Sequence, residues 1–180
     1  AVRYLQAFAG VVITASHNPP QYNGLKVYGE DGGQLALEAS EMITSYIERS
    51  GNELTLEVAD VDDLVKNGLL VYIGEKIDRA YLDELMTIQL NRDAVQSEAD
   101  SLSIVFTPLH GTAKQHVVDG LAAFGFQNVT LVEEQAEPDP NFSTVSYPNP
   151  EEYEAFELAI RKGEEVDADL LMATDPDADR

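Results

Sequence analysis

Two short runs gather residues whose types and spacing could do chemistry together. Residues 14–26 read TASHNPPQYNGLK and gather a serine hydroxyl, an imidazole, amides and an ammonium; residues 175–180 read DPDADR. A serine hydroxyl is a weak nucleophile at neutral pH, so moving a phosphoryl group onto or off it requires a base and cations facing the phosphoryl oxygens. Ser16 beside His17, with Lys26 downstream, supplies those parts, for carriage, proton transfer and charge stabilisation respectively. Ser, Asn, Pro and Asn-Gly also build ordinary turns, so a structural loop accounts for each residue type taken singly.

In the second run Asp175, Asp177 and Asp179 alternate, Pro176 stiffens the turn and Arg180 follows at once. Three hard carboxylate oxygens on a tight loop suit Mg²⁺ or Ca²⁺ rather than zinc or copper. Mg²⁺ keeps positions for phosphate oxygens, and the planar fork of Arg180 suits the same phosphate. A solvated acidic turn is the plain alternative in so acidic a chain. An EF-hand loop also begins D-x-D-x-D, but it continues with Gly and follows a helix, whereas here Arg180 follows and an apolar strand pattern precedes. Phosphatases of the haloacid dehalogenase type place D-x-D after such a strand too, and continue with Thr or Val where this chain has Asp179.

The surrounding pattern must place both runs at strand ends. GVVIT (10–14) and LKVY (25–28) predict two strands joined by the first run. Helical spacing of Ala39, Met42, Ile43, Tyr46 and Ile47 predicts a helix from about Leu37 to Arg49. Residues 51–75 hold an acidic patch, Glu57, Asp60, Asp62 and Asp63, and an apolar run LLVYI that reads as a further strand. From Lys76, Ile77, Tyr81, Leu82, Leu85 and Ile88 predict an amphipathic helix, and the polar stretch NRDAVQSEADS reads as a domain junction. Strand and helix then alternate: SIVFT (103–107), a helix over about 112–124, NVTLV, an acidic Pro-rich loop, a helix over about 150–162, and ADLLMAT. That alternation predicts an α/β fold with a parallel sheet, in which ligands gather at the carboxyl ends of the strands.

The 180 residues carry 11 basic and 33 acidic side chains, a net charge of −22, which repels nucleic acid and anionic membrane surfaces. A small phosphorylated ligand is compatible only where a metal or a few placed cations reverse the local sign. No apolar run approaches the roughly 18 to 20 residues of a membrane span. Cysteine is absent, which excludes a disulfide scaffold and thiol chemistry. Without a signal-peptide pattern, the expected location is cytoplasmic. The opening AVRYLQ and the closing DPDADR lead us to expect a piece cut from a longer chain.

TASHNP with a downstream NGLK, followed by DPDADR, resembles the α-D-phosphohexomutase superfamily, as do FTPLHGTA (106–113) and SYPNPEE (146–152). The resemblance covers the whole chain and implies two mixed or parallel α/β sheet domains. Residues 1–75 would be the latter part of a truncated first domain with the phosphoserine loop, and residues 76–180 the second domain, ending in the metal loop. It implies that Ser16 is the phosphoserine, that its phosphate joins Asp175, Asp177 and Asp179 around Mg²⁺, that Arg180 lies near the phosphoryl group, and that His17 and Lys26 serve proton transfer. His110 reads as an organiser of its loop.

Ala178 within DPDADR, together with TASHNP, leans towards the phosphoglucomutase branch. Glucose 1-phosphate and glucose 6-phosphate would interconvert through a 1,6-bisphosphate that also serves as activator. Phosphopentomutase and phosphomannomutase are the related alternatives, and a non-catalytic, divalent-metal-binding regulatory module is the alternative of another class. A small sugar phosphate is the expected partner, and oligomeric state is left open. The sugar- and distal-phosphate motifs of the superfamily's third and fourth domains, GEESG-like and RxSGTEP-like, do not occur in these residues, so the chain alone is expected to be inactive.

Overall fold

The structure is a computed structural model and describes residues 1–180, apart from the side chain of Glu53. It divides into two compact units: residues 1–12 with 26–78, and residues 13–25 with 79–180. Residues 14–25 of the serine run thus belong to the second unit, whereas Lys26 and most of each flanking strand belong to the first.

The first unit begins with a one-turn helix α1 (Val2–Leu5), and β1 (Gly10–Ile13) neighbours β2 (Leu25–Tyr28) in a two-stranded sheet. Helix α2 spans Leu37–Arg49, as its apolar spacing predicts. One expectation fails in the next segment. Residues 69–73, the LLVYI run, form no strand: Leu69, Val71, Tyr72 and Ile73 are exposed, and among the described residues no neighbouring strand takes up their backbone groups. An apolar run becomes a strand only where a ladder satisfies its N–H and C=O groups. The acidic patch before it holds a helix instead, α3 (Val61–Lys66), opened by the Asp60 side chain accepting from the Asp63 amide at 3.1 Å. Helix α4 (Glu75–Leu85) carries the chain into the second unit. The polar stretch expected as a junction contains a further helix, α5 (Arg92–Glu98).

The second unit is built on a three-stranded parallel sheet in the order β4 (Val129–Leu131), β3 (Ile104–Thr107), β5 (Leu170–Ala173). All four residues of β3 are buried, as suits a central parallel strand covered on both faces. Helix α6 (Lys114–Phe124) ends at Gly125, whose φ of 112° lets the amides of Gly125 and Phe126 reach back to Ala122 and Leu121. Helix α7 (Tyr153–Val166) buries Ala155, Ala159 and Gly163, one small residue per turn, against β3 and β5. A Cβ on Gly163 would lie 2.6 Å from Leu171 Cδ2, so glycine sets how closely that helix approaches. Val105, Val132 and Ala159 form the core cluster, with Phe156 and Leu171 packed onto it. Every fully buried apolar side chain among the described residues lies in this unit.

After β4 the chain crosses the acidic Pro-rich loop, where Asp139 accepts from the Ser143 hydroxyl and from the amides of Ser143 and Asn141 at 2.8 and 2.9 Å. Those donors, the Ser143 hydroxyl foremost, hold its carboxyl down to about 2 from an ordinary 3.8. A carboxylate depressed on folding stabilises above its unfolded pKa and loses that contribution as pH falls through the folded one. The melting temperature of Asp139→Ala should therefore lie below that of the unaltered chain above about pH 4, with the gap closing towards about pH 2. Thermal melts of both chains across that range check it; a gap independent of pH contradicts it.

Candidate functional site

The serine loop folds around its own hydroxyls. The Thr14 amide donates to the Gly24 carbonyl at 3.0 Å and closes the loop at its base, and the Ser16 amide donates to Thr14 Oγ1 at 2.8 Å. That local bond helps to hold Ser16 at φ 55°, a left-handed backbone that costs an L-residue about 1–2 kcal/mol. Asn18 turns the chain back through its amide and side chain, both donating to the Ala15 carbonyl.

The aspartate loop begins where β5 ends. Asp175 is fully buried, and its Oδ1 accepts from the amides of Asp179 at 3.0 Å and Arg180 at 3.2 Å, so this carboxylate fastens the loop that follows it. Ala178 at the apex takes φ 63°, with its amide donating to the Asp175 carbonyl at 3.0 Å. Burial first, and then the charge of Asp177, push the Asp175 carboxyl above its usual range, while the two amides partly offset them.

The two loops meet within the second unit. Ser16 Oγ donates to Asp175 Oδ2 at 3.3 Å across 159 positions of sequence, and Thr14 Oγ1 donates to Asp177 Oδ2 at 2.9 Å. The Nδ1 atom of His17 lies 3.2 Å from Ser16 Oγ, within hydrogen-bond reach. Asp175, Asp177 and Asp179 each offer an oxygen within 4.8 Å of the others. A hard-oxygen donor set that close, with a hydroxyl at its edge, fits Mg²⁺.

Lys26 lies on β2 in the first unit. The guanidinium of Arg180 donates to Glu151 Oε1 at 2.8 Å, in the segment leading into α7, while its amide serves Asp175. His110 is buried with both ring nitrogens engaged, Nδ1 with the Glu137 carbonyl at 2.9 Å and Nε2 with Thr144 Oγ1 at 2.8 Å, as an organiser of loops would be.

Three features escape sequence reasoning. Thr14 links the two loops, and its only sequence signal is a hydroxyl two positions before Ser16. Glu151 is paired with Arg180 from a stretch whose charge is ordinary in an acidic chain. Gly111 and Thr112, at the turn after β3, lie against Pro176: the Thr112 amide and hydroxyl donate to the Pro176 carbonyl at 2.9 and 3.2 Å.

A carboxylate triad, with a serine bonded to it, stands beyond the carboxyl end of β5 in a parallel α/β sheet, and comparison with known proteins gives the chain its family. The profile of "Phosphoglucomutase/phosphomannomutase, alpha/beta/alpha domain II" matches residues 79–180, and that of domain I matches residues 1–53. The chain belongs to the phosphoglucomutase/phosphomannomutase family.

A phosphoglucomutase of Staphylococcus haemolyticus is 47% identical over all 180 residues, which make up 32% of that protein; one of Staphylococcus aureus strain COL is 43% identical over the same span, 31% of its length. The chain thus spans about a third of the length of these curated relatives. Among solved structures, a Thermus thermophilus protein assigned as a phosphomannomutase superposes with a TM-score of 0.70 at 27% identity, covering 99% of this chain and 37% of that one. A phosphoglucomutase/phosphomannomutase family protein of Burkholderia thailandensis, at 23% identity and a TM-score of 0.64 over 95% of this chain and 32% of its own, shares the fold. Among the described residues no helix is long and apolar enough to cross a membrane.

Proposed function

We propose that this chain is the phosphoryl- and metal-handling part of a phosphoglucomutase that interconverts glucose 1-phosphate and glucose 6-phosphate. The observation that carries the reading is the closure of the serine loop onto the aspartate loop, Ser16 Oγ to Asp175 at 3.3 Å, supported by the 47% identity to a protein named phosphoglucomutase. That identity, against 27% for the Thermus protein, favours glucose over mannose.

On this reading Ser16 carries a phosphoryl group. The free hydroxyl of a bound glucose monophosphate attacks its phosphorus; the P–O bond to Ser16 breaks as the new P–O bond forms, and the hydroxyl proton passes to a base. The resulting glucose 1,6-bisphosphate reorients, its other phosphoryl returns to Ser16, and the isomeric monophosphate leaves. His17, within hydrogen-bond reach of Ser16 Oγ, is placed to exchange a proton there, and Lys26 is the second candidate for that work. Asp175, Asp177 and Asp179 would hold Mg²⁺, which when bound neutralises charge on the travelling group. A bound cation would offset the burial and the neighbouring Asp177 charge that together push the Asp175 carboxyl up. Arg180 would serve the phosphate by leaving Glu151, an exposed pair held by little more than about 1 kcal/mol.

A coupled assay tests the reading. Full-length protein should turn over glucose 1-phosphate faster than mannose 1-phosphate or ribose 1-phosphate, while the 180-residue chain alone should give no turnover above background. Preference for either rival sugar would replace the assignment, and activity of the isolated chain would overturn its division of labour.

A further inference from the structure

The sheet order puts β3 between the other two strands, so the turn that leaves it, residues 108–112, runs between the loop after β4 and the loop after β5. It is fastened on both sides. Towards β4, the Leu109 amide donates to Thr107 Oγ1, whose hydroxyl donates to Gln135 Oε1 at 2.7 Å, and the His110 amide donates to the Gln135 carbonyl at 2.9 Å. Gln135 is fully buried and its amide donates on to Thr144, the partner of His110 Nε2. This network holds Leu109 and His110 at φ 46° and 63°, conformations the turn would not keep unsupported.

Towards β5, a Cβ built on Gly111 would stand 2.3 Å from Pro176 Cα and 2.6 Å from its carbonyl oxygen. Backbone touches backbone there, with no flexible side chain able to give way. Pro176 sits between Asp175 and Asp177, so whatever sets the height of Pro176 sets the spacing of their carboxylates.

We propose that Gly111 and Thr112 are positioning residues for the metal loop: the braced turn is a fixed surface on which Pro176 rests, and the missing side chain of Gly111 with the two Thr112 donors determines where the aspartates stand. The inference rests on the proposed reading of those aspartates as Mg²⁺ ligands. Neither residue reaches the reacting atoms; both act through Pro176. Partners beyond the ligands of a metal typically alter its affinity by about 10- to 100-fold.

The test is Mg²⁺ binding by calorimetry to the full-length protein, with Asp177→Asn as the ligand control and circular dichroism reporting that each variant is folded. Gly111→Ala should weaken Mg²⁺ binding by at least about tenfold and speed amide hydrogen exchange at 175–180 while β3 stays protected. Thr112→Val, which keeps shape and the backbone donor, should weaken it less, and Thr112→Ser should restore it. Folded Gly111→Ala with unchanged affinity overturns the proposal. If Gly111→Ala does not fold, the threonine pair decides: equal affinity in Thr112→Val overturns it, and loss there with recovery in Thr112→Ser upholds it. Failure of the unaltered protein to bind Mg²⁺ would remove the metal reading itself, and this inference with it, whereas loss confined to the Gly111 and Thr112 variants leaves that reading intact.

Discussion

Full-length protein carrying Ser16→Ala is expected to lose at least about 10⁴-fold in glucose 1-phosphate turnover, because the substitution removes the atom that would carry the phosphoryl group. The fold should hardly notice. Alanine tolerates φ 55° no worse than serine does, and the two hydrogen bonds lost, to Asp175 and His17, are part-buried, so the stability change should stay within about 1–2 kcal/mol. Intact-mass spectrometry gives an independent readout: after incubation with glucose 1,6-bisphosphate the unaltered protein should gain one phosphoryl group mapping to Ser16, and the variant none. Turnover within tenfold of normal in Ser16→Ala would falsify the assignment.

Asp175 should separate two roles that one side chain performs. Asp175→Ala strips the acceptor from the Asp179 and Arg180 amides inside a buried site and should destabilise by about 2–4 kcal/mol. Asp175→Asn keeps a carbonyl oxygen for those amides and discards a charge that burial and Asp177 disfavour. The asparagine variant should therefore melt at or above the temperature of the unaltered chain when chelator is present, and below it when Mg²⁺ is present, since a ligand that binds only the folded state raises stability by mass action. The crossing of the two melting curves is the observable. Equal sensitivity to alanine and asparagine, with no response to Mg²⁺, would reduce Asp175 to a structural hydrogen-bond acceptor.

Much of the second unit is legible in the amino-acid pattern, because its strands are short apolar runs and its helices carry their own period. SIVFT, NVTLV and ADLLMAT become β3, β4 and β5, and Leu37–Arg49 shows the same clarity for α2 in the first unit. The failures have physical causes. LLVYI has the composition of a strand without a neighbour among the described residues to bond it, and α3 is six residues whose only strong signal is the Asp60 cap, lost among other acids. The NRDAVQSEADS stretch lacks an apolar stripe, which hides α5.

For the site, TASHNP and DPDADR taken singly each leave an ordinary turn open, and it is their joint resemblance to one family that suggests a chemistry. Who braces whom is another matter. That Gly111 lies under Pro176 depends on β3 and β5 being neighbours, and sheet order leaves no mark in local periodicity; that Thr14 reaches Asp177 and Glu151 takes Arg180 are pairings across 163 and 29 positions, which local pattern does not record either. Arg180 is one instance: the resemblance carries no sign of Glu151 as the partner of its guanidinium.

The turn after β3 has one more consequence, which concerns time. Its four successive amides, from Leu109 to Thr112, are all donated to protein acceptors: Thr107 Oγ1, the Gln135 carbonyl, the Pro108 carbonyl and the Pro176 carbonyl. Loops usually open far more often than the sheets that carry them, yet a segment so fully bonded can open only together with its neighbours. The turn beneath the aspartate loop is therefore expected to open no more often than the central strand it leaves, which amide exchange at 109–112 measured against β3 would show.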